Sequence, residues 1–306
     1  MESELIAWLR RRLPPHRLLR LGPGDDAAIL RMAGVPECAV TVDLLSDGVD
    51  FRLAEIDPQR AGRKALAVNL SDLAAMAARP LAGVVSVCLP RPGGNELARA
   101  LVEGMLPLAE RYDVAIAGGD TNSWDGPLVI SVTLLGAVTE RGPWRRDGAR
   151  LGDRILVTGA LGGSILGRHL DFEPRVREAL LLNERYRVHA AIDISDGLSV
   201  DLAHLAEESR CGAVLHLTDV PIHDDARRLS REQRDGPTPL EHALGDGEDF
   251  ELLLAVPPSD AQALLARQPL GVPLTDVGEF IEEPGLWQID ARGTRRELIP
   301  RGWEHR

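Results

Sequence analysis

Apolar residues along this chain form short runs separated by segments rich in glycine and proline. In the first half, the runs with strand-like composition cover 39–44, 82–90, 114–122 and 128–138. Two intervening segments, 58–78 and 95–112, carry apolar residues at the spacing of amphipathic helices, and Ser71 or Asp72 is a candidate break in the first. The run at 114–122 is predicted to end in a Gly-Gly-Asp turn.

The second half mixes strands and helices in the same way. Its strand-like runs are RILVTG at 154–159, AAIDI at 190–194, AVLHLTDVPI at 213–222 and FELLLAVP at 250–257. Between the halves, the segment 140–153 is rich in Gly, Pro and Arg, which is typical of a domain boundary. The pattern therefore predicts an α/β fold (α+β mixed) with an N-terminal domain at 1–140 and a C-terminal domain at 150–306.

Composition narrows the classes of protein. The formal net charge of −12 disfavours general binding to nucleic acid or to anionic membranes, because both are polyanions. Three widely spaced cysteines favour neither a disulfide framework nor a zinc site. With no apolar run near ~18 residues and no signal-peptide pattern, the expectation is a soluble protein of the reducing cytoplasm.

The placement of acidic residues suggests chemistry. Many of them stand beside glycine or small residues, where strand ends or turns are predicted: Asp25, Asp26, Asp43, Asp47, Asp72, Asp120, Asp193, Asp196, Glu248 and Asp249. For any one of them, a turn or helix-cap role is the simpler interpretation. Taken together they favour bound Mg²⁺, a hard cation that carboxylates hold while phosphate oxygens complete its coordination. A polyphosphate ligand is therefore expected.

Common nucleotide-binding motifs are missing from the sequence. There is no G-x-x-x-x-G-K-[ST] and no G-x-G-x-x-G, and Lys64 stands in an Ala-rich helix instead of following a Gly-rich loop. TGALGGSILG at 158–167 could offer a helix N-terminus to a phosphate, but a tight turn capped by Ser164 is the favoured alternative.

Several motifs, in order, resemble those of the thiamine-monophosphate kinase family. They are GPGDDAA, VDLLSDGVDF, KALAVNLSDLAAMAARP, AGGDTN, IDISDGLSVDLAHLAEES and GDGEDFELL, and the similarity runs from about residue 21 to 303. The resemblance implies a two-domain aminoimidazole-ribonucleotide synthetase-like fold and ATP-dependent phosphorylation of thiamine monophosphate to thiamine diphosphate. It also implies a homodimer joined through strands of the N-terminal domain, which would bind ATP and Mg²⁺.

The same resemblance assigns roles residue by residue. The implied metal ligands are Asp26, Thr41, Val42 through its main chain, Asp43, Asp72, Asp120, Asp193 and Asp196. The implied ATP-binding residues are Gly119, Asp120, Arg146 and Ser195, and the implied substrate-binding positions are Asp50, Glu248 and Trp303. No general base is evident. Asp50 departs from the family pattern, which usually has His directly before Phe51.

Two alternatives to this kinase remain at the level of sequence. One is another ATP-using enzyme of the same superfamily, such as a ring-closing synthetase, a selenophosphate synthetase or a hydrogenase-maturation protein. The reactive Cys or selenocysteine usual near the N-terminus of selenophosphate synthetase is missing, and the ring-closing synthetase lacks the GEDFEL context. The other is a metal- and nucleotide-binding scaffold without turnover, against which the nearly complete set of aspartates argues.

Overall fold

The structure is a computed structural model. It describes residues 8, 11–21, 29–30, 32, 34–35, 37–92, 94–233 and 235–303. The chain divides into two units: the first comprises Met1–Leu73 and Ala78–Thr139, and the second comprises Ala74–Ala77 and Glu140–Arg306.

The first unit is built on a mixed sheet with helices on one face. The strands of the whole unit are β1 (Leu19–Leu21), β2 (Ile29–Leu30), β3 (Cys38–Ser46), β4 (Arg79–Pro90), β5 (Ala115–Trp124) and β6 (Val129–Ala137). Its described helices are α1 (Pro58–Ala75) and α2 (Gly94–Arg111), with a 3₁₀ turn at Leu53–Glu55. The sheet runs in the order β3-β6-β4-β5, with β4 and β5 parallel and the other pairs antiparallel.

Alternation along the strands gives this sheet a buried and an open face. Ile130, Val132 and Leu134 of β6 are fully buried, whereas Val42 and Leu44 of β3 are 62% and 67% exposed. The register pairs Val42 with Thr133 and Leu44 with Ser131, so these exposed residues share the open face with the outward positions of β6.

The two helices approach each other closely. A Cβ on Gly62 of α1 would lie 2.0 Å from the carbonyl oxygen of Leu101, and one on Gly104 of α2 would lie 1.8 Å from that of Gln59. Only glycine fits at these crossing points. Leu73 of α1 packs near the backbone of β6, so the helix covers the buried face of the sheet.

The second unit contains a wider sheet. Its strands are β7 (Arg154–Thr158), β8 (Ala190–Asp193), β9 (Gly212–His216), β10 (Leu252–Val256), β11 (Leu274–Ile281), β12 (Leu286–Ile289) and β13 (Arg295–Glu297). Its described helices are α3 (Arg168–Asp171), α4 (Val176–Arg185), α5 (Leu198–Glu208), α6 (Asp224–Glu232), α7 (Pro239–Gly245) and α8 (Pro258–Arg267), with 3₁₀ turns at Arg146–Gly148 and Ser164–Leu166.

The strand order of this sheet is β13-β12-β9-β11-β7-β10-β8. β10 lies inside the sheet and is buried along its whole length, which agrees with its uninterrupted apolar sequence. α5 packs Leu198, Leu202 and Leu205 into the core formed with the sheet. The mixed α/β architecture predicted from the sequence is confirmed.

Three local predictions are wrong. α1 continues through Ser71 and Asp72 without a break, because the apolar period of the helix runs on to its last residues. The Gly-Gly-Asp segment lies inside β5 instead of ending it, and the register with β4 shifts there between Gly83 and Val84. Asp43 is an internal residue of β3 and does not end a strand.

Candidate functional site

In the first unit, β3 and α1 bring together two of the predicted metal ligands. Thr41 pairs with Leu134, and Leu134 is buried, so Thr41 faces α1. Its hydroxyl donates a hydrogen bond to the Asp72 carboxylate. Asp43, two residues along the same strand, shares this face, whereas the Val42 side chain lies on the open one.

Gly119 and Asp120 lie on β5, and Gly119 is fixed by close packing. A Cβ at Gly119 would lie 1.7 Å from the carbonyl oxygen of Val85, so no other residue fits against β4 there. Asp120 is exposed, pairs with Ser86, and accepts a hydrogen bond from the Thr121 amide at 2.9 Å. This register puts Asp120 on the open face of the sheet, opposite to Thr41 and Asp72.

Asp50 belongs to the loop 47–51, which follows β3 and is held by short-range hydrogen bonds. Its carboxylate accepts a hydrogen bond from the Ser46 amide at 2.7 Å, and the Gly48 amide donates to the Phe51 carbonyl at 2.7 Å. Gly48 turns the chain at φ 93°, a backbone angle that favours glycine. The Lys64 ammonium of α1 donates to the Asp50 carbonyl oxygen at 2.7 Å. Sequence reasoning assigned no function to Lys64.

In the second unit, β8 ends at Asp193 and leads into a turn that carries Ser195 and Asp196. The turn is held by Asp201 of α5, whose carboxylate accepts hydrogen bonds from the amides of Asp196 at 3.1 Å and Gly197 at 3.0 Å. Burial raises the pKa of Asp201 to about 8, and the charges of Asp193 and Asp196 contribute to the rise. Asp193, Asp196 and Asp201 therefore place three carboxyl groups at or beside this turn.

Glu248 and Trp303 come to the same turn from distant parts of the chain. The Glu248 amide donates to the Ser195 carbonyl at 2.7 Å, and the Trp303 amide donates to the Asp196 carbonyl at 3.0 Å. Glu248 adopts φ 53°, which is uncommon for a residue with a side chain. Trp303 is 52% exposed. The second unit thus brings Ser195, Asp196, Glu248 and Trp303 together.

The two central glycines of the segment 159–167, Gly162 and Gly163, use their amides to bind nearby carboxylates. The Gly162 amide donates to the buried Asp249 carboxylate at 2.9 Å, and the Gly163 amide donates to Asp246 at 2.8 Å. The Ser164 hydroxyl donates to the Gly247 carbonyl at 2.8 Å. The turn alternative therefore describes this segment, although Ser164 binds the neighbouring loop instead of capping its own turn.

Two predicted positions remain, Arg146 and Asp26. Arg146 is exposed in its 3₁₀ turn, where its carbonyl oxygen accepts a hydrogen bond from the Ser209 hydroxyl at 2.7 Å. Asp26 lies outside the described residues. In the part of the chain that the structure describes, no three His, Cys, Asp or Glu side chains lie close enough to hold a metal ion by themselves.

Comparison with known proteins extends over both units. The AIR synthase related protein, N-terminal domain, matches residues 24–138, and the AIR synthase related protein, C-terminal domain, matches residues 150–287. The thiamine-monophosphate kinase of Rhodopirellula baltica is 45% identical over 313 residues, which cover 100% of this chain and 97% of the relative.

Solved structures agree with the sequence comparison. A thiamine-monophosphate kinase from Stenotrophomonas maltophilia has a TM-score of 0.78 and 34% identity, covering 94% of each chain. A ThiL protein complexed with AMPPCP and TMP has a TM-score of 0.77 and 26% identity, covering 99% of this chain and 95% of the other. On the full-length similarity to these relatives, the chain belongs to the thiamine-monophosphate kinase family of the AIR synthase related proteins.

Proposed function

We propose that this protein transfers the γ-phosphoryl group of ATP to thiamine monophosphate, which yields thiamine diphosphate and ADP. The observation that carries the proposal is 45% identity across the whole chain to a thiamine-monophosphate kinase. The convergence of Ser195, Asp196, Glu248 and Trp303 on one turn adds geometric support. The ThiL relative that holds an ATP analogue and TMP supports the same pair of substrates.

The reaction makes limited chemical demands on the protein. The bond between the γ-phosphorus and the ADP oxygen breaks while a bond from that phosphorus to an oxygen of the acceptor phosphate forms. The acceptor is a phosphate monoester with a second pKa of about 6, so it is mostly ionised at neutral pH and needs no general base. Positioning and charge neutralisation then account for most of the catalysis.

Mg²⁺ is part of this proposal, and the donor chemistry of the chain fits it. Carboxylate and hydroxyl oxygens suit this hard cation, and the structure brings the Thr41 hydroxyl to the Asp72 carboxylate, with Asp43 on the same side of β3. The residues that would hold several ions are Asp26, Thr41, the Val42 main chain, Asp43, Asp72, Asp120, Asp193 and Asp196. When bound, Mg²⁺ neutralises phosphate charge.

The other proposed roles divide between the two substrates. Gly119, Asp120, Arg146 and Ser195 are the proposed ATP contacts, and the exposed guanidinium of Arg146 can offer a fork of donors to phosphate. Asp50, Glu248 and Trp303 are the proposed substrate contacts. The half-exposed indole of Trp303 provides a flat apolar surface suited to stacking on an aromatic ring.

A homodimer formed through the first unit is also proposed. Its support is the row of aliphatic side chains on the open face of the sheet, where Val40 and Leu44 of β3 are 64% and 67% exposed.

No described helix is long and apolar enough to cross a membrane. All three cysteines are free thiols, which supports the proposed cytoplasmic setting.

The test of the proposed activity is an ATP-consumption assay with separate acceptors. We expect ADP and thiamine diphosphate to form in equal amounts when ATP, Mg²⁺ and thiamine monophosphate are all supplied. Consumption of ATP only with an amidine substrate would favour a ring-closing synthetase. Nucleotide binding without turnover on any acceptor would favour a scaffold.

Asp50 is expected to affect the acceptor and not ATP. An ionised aspartate accepts hydrogen bonds and attracts cations, and thiamine offers both a thiazolium and an aminopyrimidine. Asp50→Asn keeps an oxygen that can accept from the Ser46 amide but removes the charge. We expect this variant to raise the KM for thiamine monophosphate several-fold and to leave the KM for ATP unchanged.

Asp50→Ala separates the two roles of this side chain, because it removes the loop hydrogen bond as well as the charge. If Asp50→Asn has wild-type constants and only Asp50→Ala is impaired, Asp50 acts solely in holding the loop. Substrate recognition would then rest on Glu248, Trp303 and the metals.

A further inference from the structure

Lys64 is an unusual residue in this chain. Lys and Arg total 35, and Lys64 is the only lysine among them. All the others are arginines. Its side chain is buried in α1, with 1% exposure. A buried ammonium costs desolvation free energy unless hydrogen bonds compensate it. A compact ammonium, unlike the wide planar guanidinium, fits a narrow buried space.

The hydrogen bond from Lys64 to Asp50 reaches the loop that follows β3. Nζ donates to the Asp50 carbonyl oxygen at 2.7 Å, while the Asp50 carboxylate accepts from the Ser46 amide at 2.7 Å. The main chain of Asp50 is therefore held by α1, and its side chain by the last residue of β3. Phe51, the next residue, is buried and anchors the end of the loop.

The same helix also contacts β3 near the predicted metal ligands. Asp72 lies eight residues beyond Lys64, about 12 Å along α1, and accepts the hydrogen bond of Thr41. α1 thus contacts the β3 segment at two points, one at Asp72 and one at the Asp50 loop. Since both contacts come from one helix, the Lys64 hydrogen bond links the loop to the helix that carries Asp72.

We propose that Lys64 is a positioning residue for the acceptor substrate, and that it acts by holding Asp50 and its loop at a fixed place relative to Asp72. The inference rests on the proposed kinase activity. A loop displaced by as little as about 1 Å can lower the efficiency of a reaction strongly when it orients one reactant. Because Asp50 is acidic, the substrate that it favours is a phosphate ester that carries a cationic aromatic group.

Lys64→Met tests this role, because methionine fills a similar volume without a donor or a charge. We expect the KM for thiamine monophosphate to rise several-fold, as in Asp50→Asn, with the KM for ATP within about twofold of wild type. Leu66→Met is the matched control, since Leu66 is a fully buried residue of the same helix and the exchange conserves volume. Both constants of the control are expected to be unchanged.

A second measurement separates positioning from general damage to the fold. In Lys64→Met, the amides of 46–51 are expected to exchange hydrogen faster than in the wild type, while those of α1 keep their protection. If Lys64→Met does not fold, Lys64→Gln, which retains an N–H donor, carries the same two measurements with a smaller expected rise in KM.

Two outcomes overturn the inference. One is an unchanged KM for thiamine monophosphate in folded Lys64→Met, and the other is an equal loss for both substrates. Failure of the proposed function is a different result, because the wild-type protein itself would then form no thiamine diphosphate. Calorimetric titration with thiamine monophosphate in the presence of a non-hydrolysable ATP analogue and Mg²⁺ checks the affinity of each variant without turnover.

Discussion

Replacing Asp72 with Asn is expected to lower the turnover number by about two orders of magnitude or more while the protein stays folded. Asp72 is held by the Thr41 hydroxyl on the helix-facing side of β3. Asparagine keeps the shape and one oxygen, but it removes the charge that would bind a divalent cation. The loss should therefore appear as weaker affinity for Mg²⁺ and slower transfer. Steady-state assays over a series of Mg²⁺ concentrations measure both.

The control for this variant is Asp57→Asn. Asp57 precedes α1 and accepts a hydrogen bond from the Gln59 amide at 2.9 Å, a capping role that asparagine also performs. Asp43→Asn and Asp120→Asn extend the test to two other proposed carboxylate ligands of the first unit. Wild-type rates in all three ligand variants would contradict the metal site. A lower turnover number in Asp57→Asn would instead indicate a general effect of lost charge.

Arg175→Met is expected to lower the free energy of unfolding by about 3–5 kcal/mol. Arg175 binds the buried Glu251 carboxylate through two hydrogen bonds of 2.6 and 2.5 Å, and the Thr158 hydroxyl adds a third at 2.6 Å. A Cβ on Gly159 would lie 2.1 Å from the same carboxylate, so the pocket is tightly closed. Without Arg175, an uncompensated charge stays in the core of the second unit.

Thermal unfolding measures this effect, and a fall in Tm of roughly 10 °C is expected for a domain of this size. Arg187→Met is the comparison, because Arg187 is 63% exposed and its ion pair with Asp260 at 3.0 Å is worth at most about 1 kcal/mol. The double variant Arg175→Met, Glu251→Gln should recover part of the loss, since it leaves no charge behind. Equal shifts for Arg175→Met and Arg187→Met would contradict this account.

Most elements of the fold could be predicted from periodicity. The run at 128–138 is β6, and the amphipathic segment at 95–112 is α2 to within one residue at each end. The prediction failed where glycine and aspartate stand together. In β5 the glycines allow a close approach to Val85, a tertiary requirement that looks the same in sequence as a turn.

The candidate site was less accessible to sequence reasoning than the fold. The contacts of Glu248 and Trp303 with the turn at Ser195 and Asp196 join segments that are more than 50 residues apart, and no local spacing encodes them. Family resemblance supplied these positions. The loop hydrogen bond of Lys64 had only a compositional signal, a single lysine among many arginines.

Because the single lysine is buried, cleavage of the chain at this residue can be used to measure how often the first unit opens. A protease that cuts only after lysine has one site in these 306 residues, on the carboxyl side of Lys64. In the native state this bond lies within α1, where the lysine side chain is closed off from solvent. Cleavage into fragments of 1–64 and 65–306 therefore requires the first unit to open, and its rate measures how often that happens.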